Sequence, residues 1–433
     1  MDCWRFVRLN PVWTTLLAVS LELYLKLKDH PILNMIMKNS LYPYCMWKNP
    51  MPVGLPLYFK GDPYKIRTNP FGFFHVDVIS PDRKAPFLPY RLKKTTTYPI
   101  GNWSGWYFSE EIKNAERYGY KFKINHGILF DRGDIFKDYI SKLYDMRMKS
   151  PRGDPKNQIA KLLMNSTYGR FGMSPIFERH EIVSASDSED IINDNKDVDV
   201  QPLPSSGNVI VSYSPNDEED FKLKDLSVAI SAAIAAYARI EMSYYLVKYE
   251  DYIICCDTDG IKVTFDLDSK EIDDGKLGMM KYEYCFSVMV SPGAKMYGGL
   301  LKVPYKGLDE IVKIKGVKKP ISYYHLSRIL YKDNPVKVVQ EIWRRSQATS
   351  TILVKDQIYT IATNENKREL VIDSNGKIID TLPLIVKDGS IVRRNLPLVY
   401  LLPVPIYWHT ITIKWGNETL YLPYCKSINL FYV

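Results

Sequence analysis

Asp257 and Asp259 stand two apart in Cys256-Asp257-Thr258-Asp259-Gly260, between the apolar run Tyr252 to Cys256 and its return, Ile261 to Phe265. In extended backbone such a pair leaves the chain on one side. Two carboxylates held close need a cation between them, and hard oxygen donors suit magnesium. A polar hairpin tip explains the same residues, because Asp and Gly are ordinary turn formers; from the hairpin alone that is the commoner explanation. A second set is Lys161, Asn165 and Tyr168, spaced i, i+4 and i+7. On a helix these share one face, and a cation, an amide and a phenol on one stripe fit the phosphate, base and sugar of a nucleotide. A solvated helix face is the plainer alternative, weakened by the tyrosine and by Gly169. Asn39-Ser40-Leu41-Tyr42-Pro43 and Lys295-Met296-Tyr297 mean little alone. Their order and spacing relative to the other two sets matter more.

The elements that must carry these residues are legible in outline. Asp134 is placed to cap a helix whose apolar residues Phe136, Tyr139, Ile140 and Leu143 recur at helical spacing. Ser150-Pro151-Arg152-Gly153 breaks it. Asp154-Pro155 opens a second helix that runs to Gly169, with an acid at the cap and proline just inside. Two helices joined by a short turn make a hairpin. Leu226 to Val247 predicts an alanine-rich helix, whose small side chains let it lie close against a sheet. Phe71 to Gly101 reads as loops and short strands, and residues 184–222 as an acidic surface insertion. The region after Lys302 reads as mixed helix and strand.

The chain has 433 residues, enough for two or three compact units. Lys and Arg outnumber Asp and Glu by 58 to 49, a net charge of +9 that agrees with a polyanionic partner without proving one. The 32 tyrosines suit clefts that stack bases or sugars. Cys3, Cys45, Cys255, Cys256, Cys285 and Cys425 form no C-x-x-C pair, so structural zinc is not expected and the thiols read as free. Val12 to Leu25 is too short to span a bilayer and holds Glu22. No small-residue cleavage site follows it, so neither a membrane partner nor a secretion signal is expected.

Taken together, these segments resemble the family B DNA polymerases. Asn39-Ser40-Leu41-Tyr42-Pro43 is similar to the family's motif A, Asp-x-x-Ser-Leu-Tyr-Pro. Lys161-Leu162-Leu163-Met164-Asn165-Ser166-Thr167-Tyr168-Gly169 matches motif B, Lys-x-x-x-Asn-Ser-x-Tyr-Gly. Asp257-Thr258-Asp259-Gly260 resembles motif C, Asp-Thr-Asp-Ser, and Lys295-x-Tyr297 fits the Lys-x-Tyr motif that follows it. All four occur in the family's order. Gly101-Asn102-Trp103-Ser104-Gly105-Trp106 with Ser109-Glu110-Glu111, Lys315-Gly316-Val317-Lys318, and Glu365-Asn366-Lys367-Arg368-Glu369-Leu370 are similar to segments of the protein-primed polymerases of linear mitochondrial plasmids.

The resemblance implies an α+β right-hand fold with an antiparallel palm sheet, a helical fingers hairpin and a mixed thumb. It divides the chain into palm (33–65), an insertion typical of the protein-primed branch (66–125), fingers (126–169), a second insertion (170–225), palm again (226–300) and thumb (301–400). Residues 1–32 and 401–433 match nothing nameable. Asp257 and Asp259 would help hold two Mg2+ ions, with Mn2+ as a substitute. Lys161, with Lys149 as a weaker candidate, would contact the triphosphate of the dNTP. Tyr42 would pack under its sugar, and Asn165 and Tyr168 would floor the nascent base pair. Ser166, Gly169, Lys295 and Tyr297 would face primer and template. The implied partners are primer–template DNA, dNTPs and a terminal protein, and the implied location is the mitochondrion.

Two features depart from the pattern. The metal-binding aspartate that opens motif A, three residues before Ser40, is Met37 here, followed by Lys38, a cation expected close to the metal. Methionine is a poor magnesium ligand. The family's exonuclease part would precede motif A, where only residues 1–35 stand, so the chain reads as N-terminally truncated. Two functions stay open: a DNA polymerase, and a non-catalytic nucleic-acid-binding remnant of one. A reverse transcriptase fits less well, since it would want Tyr-x-Asp-Asp where this hairpin reads Cys-Cys-Asp-Thr-Asp.

Overall fold

The computed structural model describes residues 33–394, except 93–94, 152, 174–178, 204–205, 216–225, 319–320, 332–333, 347–350 and 364–366, and the strands His409–Trp415 and Glu418–Tyr424. Residues 1–32 and most of the tail, with Cys3, Cys425, Glu365 and Asn366, lie outside the described residues.

Two six-stranded sheets carry most of the chain. In the first, the strand Leu33–Lys38 lies between Gly260–Val263 and Met280–Gly293, antiparallel to both. Ile253–Asp257 extends the sheet on one side; Met296–Tyr305 and Leu308–Ile314 extend it on the other. One face of this sheet packs Leu33, Met35, Ile254, Tyr284 and Phe286 together. Ile36, Ile253, Cys256, Ile261 and Val263 join the main core. Burial on both faces explains why the hairpin strands read as continuous apolar runs.

The second sheet orders the strands Met51–Lys60, Lys121–Gly133, Gly72–Ile79, Ile100–Phe108, Ile385–Lys387 and Ser390–Val392. It runs across the expected boundaries at 65, 125 and 300. The proline- and aromatic-rich stretch from Phe71 thus builds a substantial sheet, because its alternation of Phe74, Val76 and Val78 with His75 and Asp77 has the period of a strand.

Between the sheets runs the helix Val228–Lys248, capped by the Ser227 hydroxyl, which accepts from the Ile230 amide. Ala233, Ile234, Ala236 and Met242 are buried. Small side chains let it pack closely against the helices Leu41–Lys48, Ser109–Glu116 and Pro155–Phe171. The helical hairpin is Lys137–Lys149 with Pro155–Phe171. The second member starts as expected, with the Asp154 carboxylate accepting from the Lys156 amide. The first is capped at Phe136 rather than Asp134. The described residues between 179 and 215 form a three-stranded sheet with a short helix, Ser188–Asp194. After Leu308 one short helix, Tyr323–Arg328, interrupts what is otherwise strand among the described residues.

Candidate active site

The register of the first sheet puts Met37 directly opposite Gly260. The Lys38 amide donates to the Asp259 carbonyl at 2.6 Å. Motif A and the hairpin tip are therefore locked together by backbone. A Cβ on Gly260 would stand 3.2 Å from the Met37 Cγ, so the missing serine side chain leaves room for methionine. Three of the four motifs hold a non-glycine residue in left-handed backbone: Ser40 at φ 54°, Thr258 at φ 63° and Lys295 at φ 55°. Such conformations persist where the surroundings over-determine them, and they gather at functional sites.

Neighbouring residues hold the turn after Met37. The Arg147 guanidinium, from the first helix of the hairpin, donates to the Ser40 hydroxyl at 2.9 Å. The Asn39 amide donates to the Asp274 carbonyl at 2.9 Å. Tyr42 then stacks on Tyr168 with ring centroids 4.5 Å apart and planes 6° from parallel. This contact stacks a residue of motif A on one of motif B, ring over ring. Burial raises both phenols above their ordinary range. Lys149, Lys161, Asn165, Ser166 and Gly169 are exposed on the helical hairpin.

At the hairpin tip the Lys295 ammonium donates to Asp257 at 2.9 Å. The Tyr297 ring carries the Lys262 ammonium 4.0 Å from its centre. Burial, reinforced by repulsion from Asp257 and Glu283, pushes the Asp259 carboxyl up from 3.8 to about 6. An unfolded aspartate loses its proton near 4, so the native state loses stability as pH rises from about 4 to about 6 and levels off above. Asp259→Asn removes that penalty. It is expected to melt higher than the parent above pH 6, by on the order of 2 kcal/mol, with no advantage below pH 4. Melting curves at pH 4, 5 and 7 check this; a destabilised Asn variant at pH 7 would show that the charge is compensated.

Lys38 does not stand by the carboxylates. Adjacent strand residues point to opposite faces, and its ammonium is buried against Glu241 of the central helix at 2.7 Å. Glu241 also holds Lys48. Lys38 therefore ties the strand to the helix.

Three further residues near the tip were assigned no role on sequence grounds. Glu283 is the extra residue in an irregularity of the Leu33–Lys38 pairing, between Tyr282 and Tyr284. Its Oε2 is buried without a hydrogen-bond partner. Its charge raises both Asp259 and Tyr297. Lys367 is held below its ordinary range by burial and by the ammonium groups of Lys295 and Lys315, and Asp257 opposes the shift. Lys295, Lys315 and Asp257 thus all lie within electrostatic reach of Lys367. Only the Lys315-Gly-Val-Lys and Asn-Lys-Arg segments hinted at it.

The donor set does not fit a pair of divalent ions as it stands. It offers Asp257, Asp259 and a methionine, with an ammonium already on Asp257. Among the described residues no three Asp, Glu, His or Cys side chains gather closely enough to hold a metal. Among them, too, no helix is long and apolar enough to cross a membrane.

Residues 38–252 match the family model described as DNA polymerase type B, organellar and viral. The chain is 44% identical over 358 residues to a "Probable DNA polymerase" of Ascobolus immersus, covering 82% of this chain and 30% of that protein. It is likewise 44% identical over 330 residues to one of Neurospora intermedia, covering 73% and 34%. The DNA polymerase of Bacillus phage Nf is 28% identical over 272 residues, covering 57% and 42%. The chain thus spans about a third of the length of its fungal relatives. Its fold matches that of Phi29 DNA polymerase complexed with primer–template DNA and incoming nucleotide, with a TM-score of 0.61, 18% identity, and coverage of 83% of this chain and 62% of the other.

Proposed function

We propose that this chain, which belongs to the type B DNA polymerases of organelles and viruses, is the polymerising core of a protein-primed DNA polymerase acting on mitochondrial plasmid DNA. The observation that carries the reading is the Tyr42–Tyr168 stack beside the hairpin tip, which brings motifs A, B and C to one place. The sheet around Asp257 would be the palm, the helical hairpin the fingers, and the strands after 301 the thumb. In template-directed nucleotidyl transfer the Tyr42 ring would pack under the sugar and disfavour a 2′-hydroxyl. Asn165 and Tyr168 would support the base pair, and Lys161, with Lys149 behind it, would reach the triphosphate. Lys295 and Tyr297, on the primer side with Ser166 and Gly169, would steady the terminal nucleotide, aided by Lys315 and Lys367. A terminal protein is the expected priming partner.

The family works with divalent metal ions, Mg2+ being the expected pair here and Mn2+ its substitute; they supply charge stabilisation at the transferring phosphate. This chain's donor set is one carboxylate short. That favours a second reading, a nucleic-acid-binding remnant that keeps the fold and has lost the chemistry. Primer extension with magnesium and with manganese separates the two. The purified chain is expected to bind primed DNA weakly and extend it barely or not at all. Robust extension that disappears in Asp259→Ala would show that another acid, Glu283 first among them, completes the site. Failure to bind primed DNA at all would remove both readings.

A further inference from the structure

The second sheet buries Phe74, Val76, Val78, Trp103 and Tyr107 on one side. The other side carries a row of rings. Register places Lys60 opposite His126, His126 opposite His75, and His75 opposite Trp106. The two imidazoles stack at 4.8 Å, 13° from parallel. Trp106 stands edge-on to them at 5.6 and 5.2 Å. Tyr58 lies 6.1 Å from His126 and is 63% exposed.

Cross-strand ring pairs commonly serve only the sheet. Three observations go beyond that role. Tyr58 gives most of its surface to water, so it seals no core. The His75 Nδ1 is buried with no hydrogen-bond partner. Past Asp77, Asn102 and Ser104 the face reaches the end of the sheet and borders a cleft of about 700 Å³ whose lining wraps round that end to Tyr90, Val78 and Asp388. Lys60, Lys121 and Lys123 are exposed along this face, and the carboxylates of Asp77 and Asp388 beside them are already engaged, the first by Ser104 and Asn125 and the second by Asn102. An exposed ring at the end of an aromatic row, a polar cleft and a lysine margin are features that suit single-stranded nucleic acid, whose bases stack on any π-face while phosphates follow the cations.

We propose that this sheet face is an auxiliary binding surface for single-stranded DNA. Bases stack on Tyr58 and the His126–His75–Trp106 row, and Lys60, Lys121 and Lys123 hold the backbone. The surface uses none of the residues of motifs A, B and C, so its existence does not depend on the chain being an active polymerase. The test is fluorescence anisotropy of a labelled oligothymidylate with the full chain, in the presence of saturating unlabelled primer–template. Tyr58→Ala is expected to weaken oligothymidylate about tenfold. The combined Lys60→Glu, Lys121→Glu, Lys123→Glu variant is expected to weaken it more and to flatten its salt dependence. Primer–template affinity and melting temperature stay unchanged in both, since all four side chains are exposed. Full displacement of oligothymidylate by primer–template would overturn the proposal, as would equal binding by both variants. Equal displacement by polyglutamate would reassign the face to an acidic protein partner.

Discussion

Replacing Met37 with aspartate is expected to raise magnesium-dependent primer extension by on the order of a thousandfold, because one charged metal ligand is worth several kcal/mol of transition-state stabilisation. The backbone is already in place for it. Residue 37 sits opposite Gly260, and the next amide is bonded to the Asp259 carbonyl. A carboxylate there would join Asp257 and Asp259 on a strand that needs no rebuilding. The two departures from the family pattern are also coupled. The Gly260 Cβ position lies 3.2 Å from the Met37 Cγ, tight enough that a serine would push against methionine. Gly260→Ser alone should therefore cost about 1 kcal/mol of stability. In the Met37→Asp background the same serine should be tolerated, so the two substitutions will not add. Extension with magnesium and manganese, compared across both singles, the double and Met37→Asp with Asp259→Ala, checks this. A Met37→Asp chain that melts normally, binds primed DNA and gains no activity would show that the missing acid is not what limits the site.

The four motifs were legible through their order and spacing and the family resemblance these carry. Local geometry supplied only the two-residue carboxylate spacing at a hairpin and the i, i+4, i+7 stripe on a helix, each of which has a plainer explanation when taken alone. What the residues touch was not legible. The Tyr42 stack joins residues far apart in the chain, and nothing in either segment names the partner. Lys38 was misplaced for a reason available in the sequence: a strand alternates, so Met37 and Lys38 cannot face the same side. Glu283 was hidden because an irregularity in strand pairing leaves it as the unpaired residue near the tip, and such slips leave no mark in a run such as Tyr282-Glu283-Tyr284. Phe71 to Gly101 reads as loops and short strands and holds both, but nothing local shows that its strand Gly72–Ile79 joins strands from residues 51–60, 100–108, 121–133 and 385–392 in one sheet.

Glu111→Ala is expected to destabilise the fold by about 3–5 kcal/mol. Glu111 lies in the first turn of the helix Ser109–Glu116, and its carboxylate takes two hydrogen bonds from Arg239 of the central helix, the Nη2 one at 2.9 Å. The side chains are only 8% and 4% exposed. Removing the acid strands a guanidinium that cannot shed its proton in a region shared with Tyr98, Tyr42 and Tyr168, whose phenols all feel Arg239. The central helix would have to shift to bring that charge to water, and the aromatic surface beneath the candidate nucleotide site would move with it. Replacing both partners with apolar residues of similar size, Glu111→Leu with Arg239→Met, should recover most of the loss, because the desolvation cost of the charges disappears along with their attraction. Urea midpoints of the parent, the two singles and the double make the comparison. Should the double be as unstable as Glu111→Ala, the pair would have to act through its hydrogen-bond geometry, and the second sheet would depend on Arg239 for its position against the central helix.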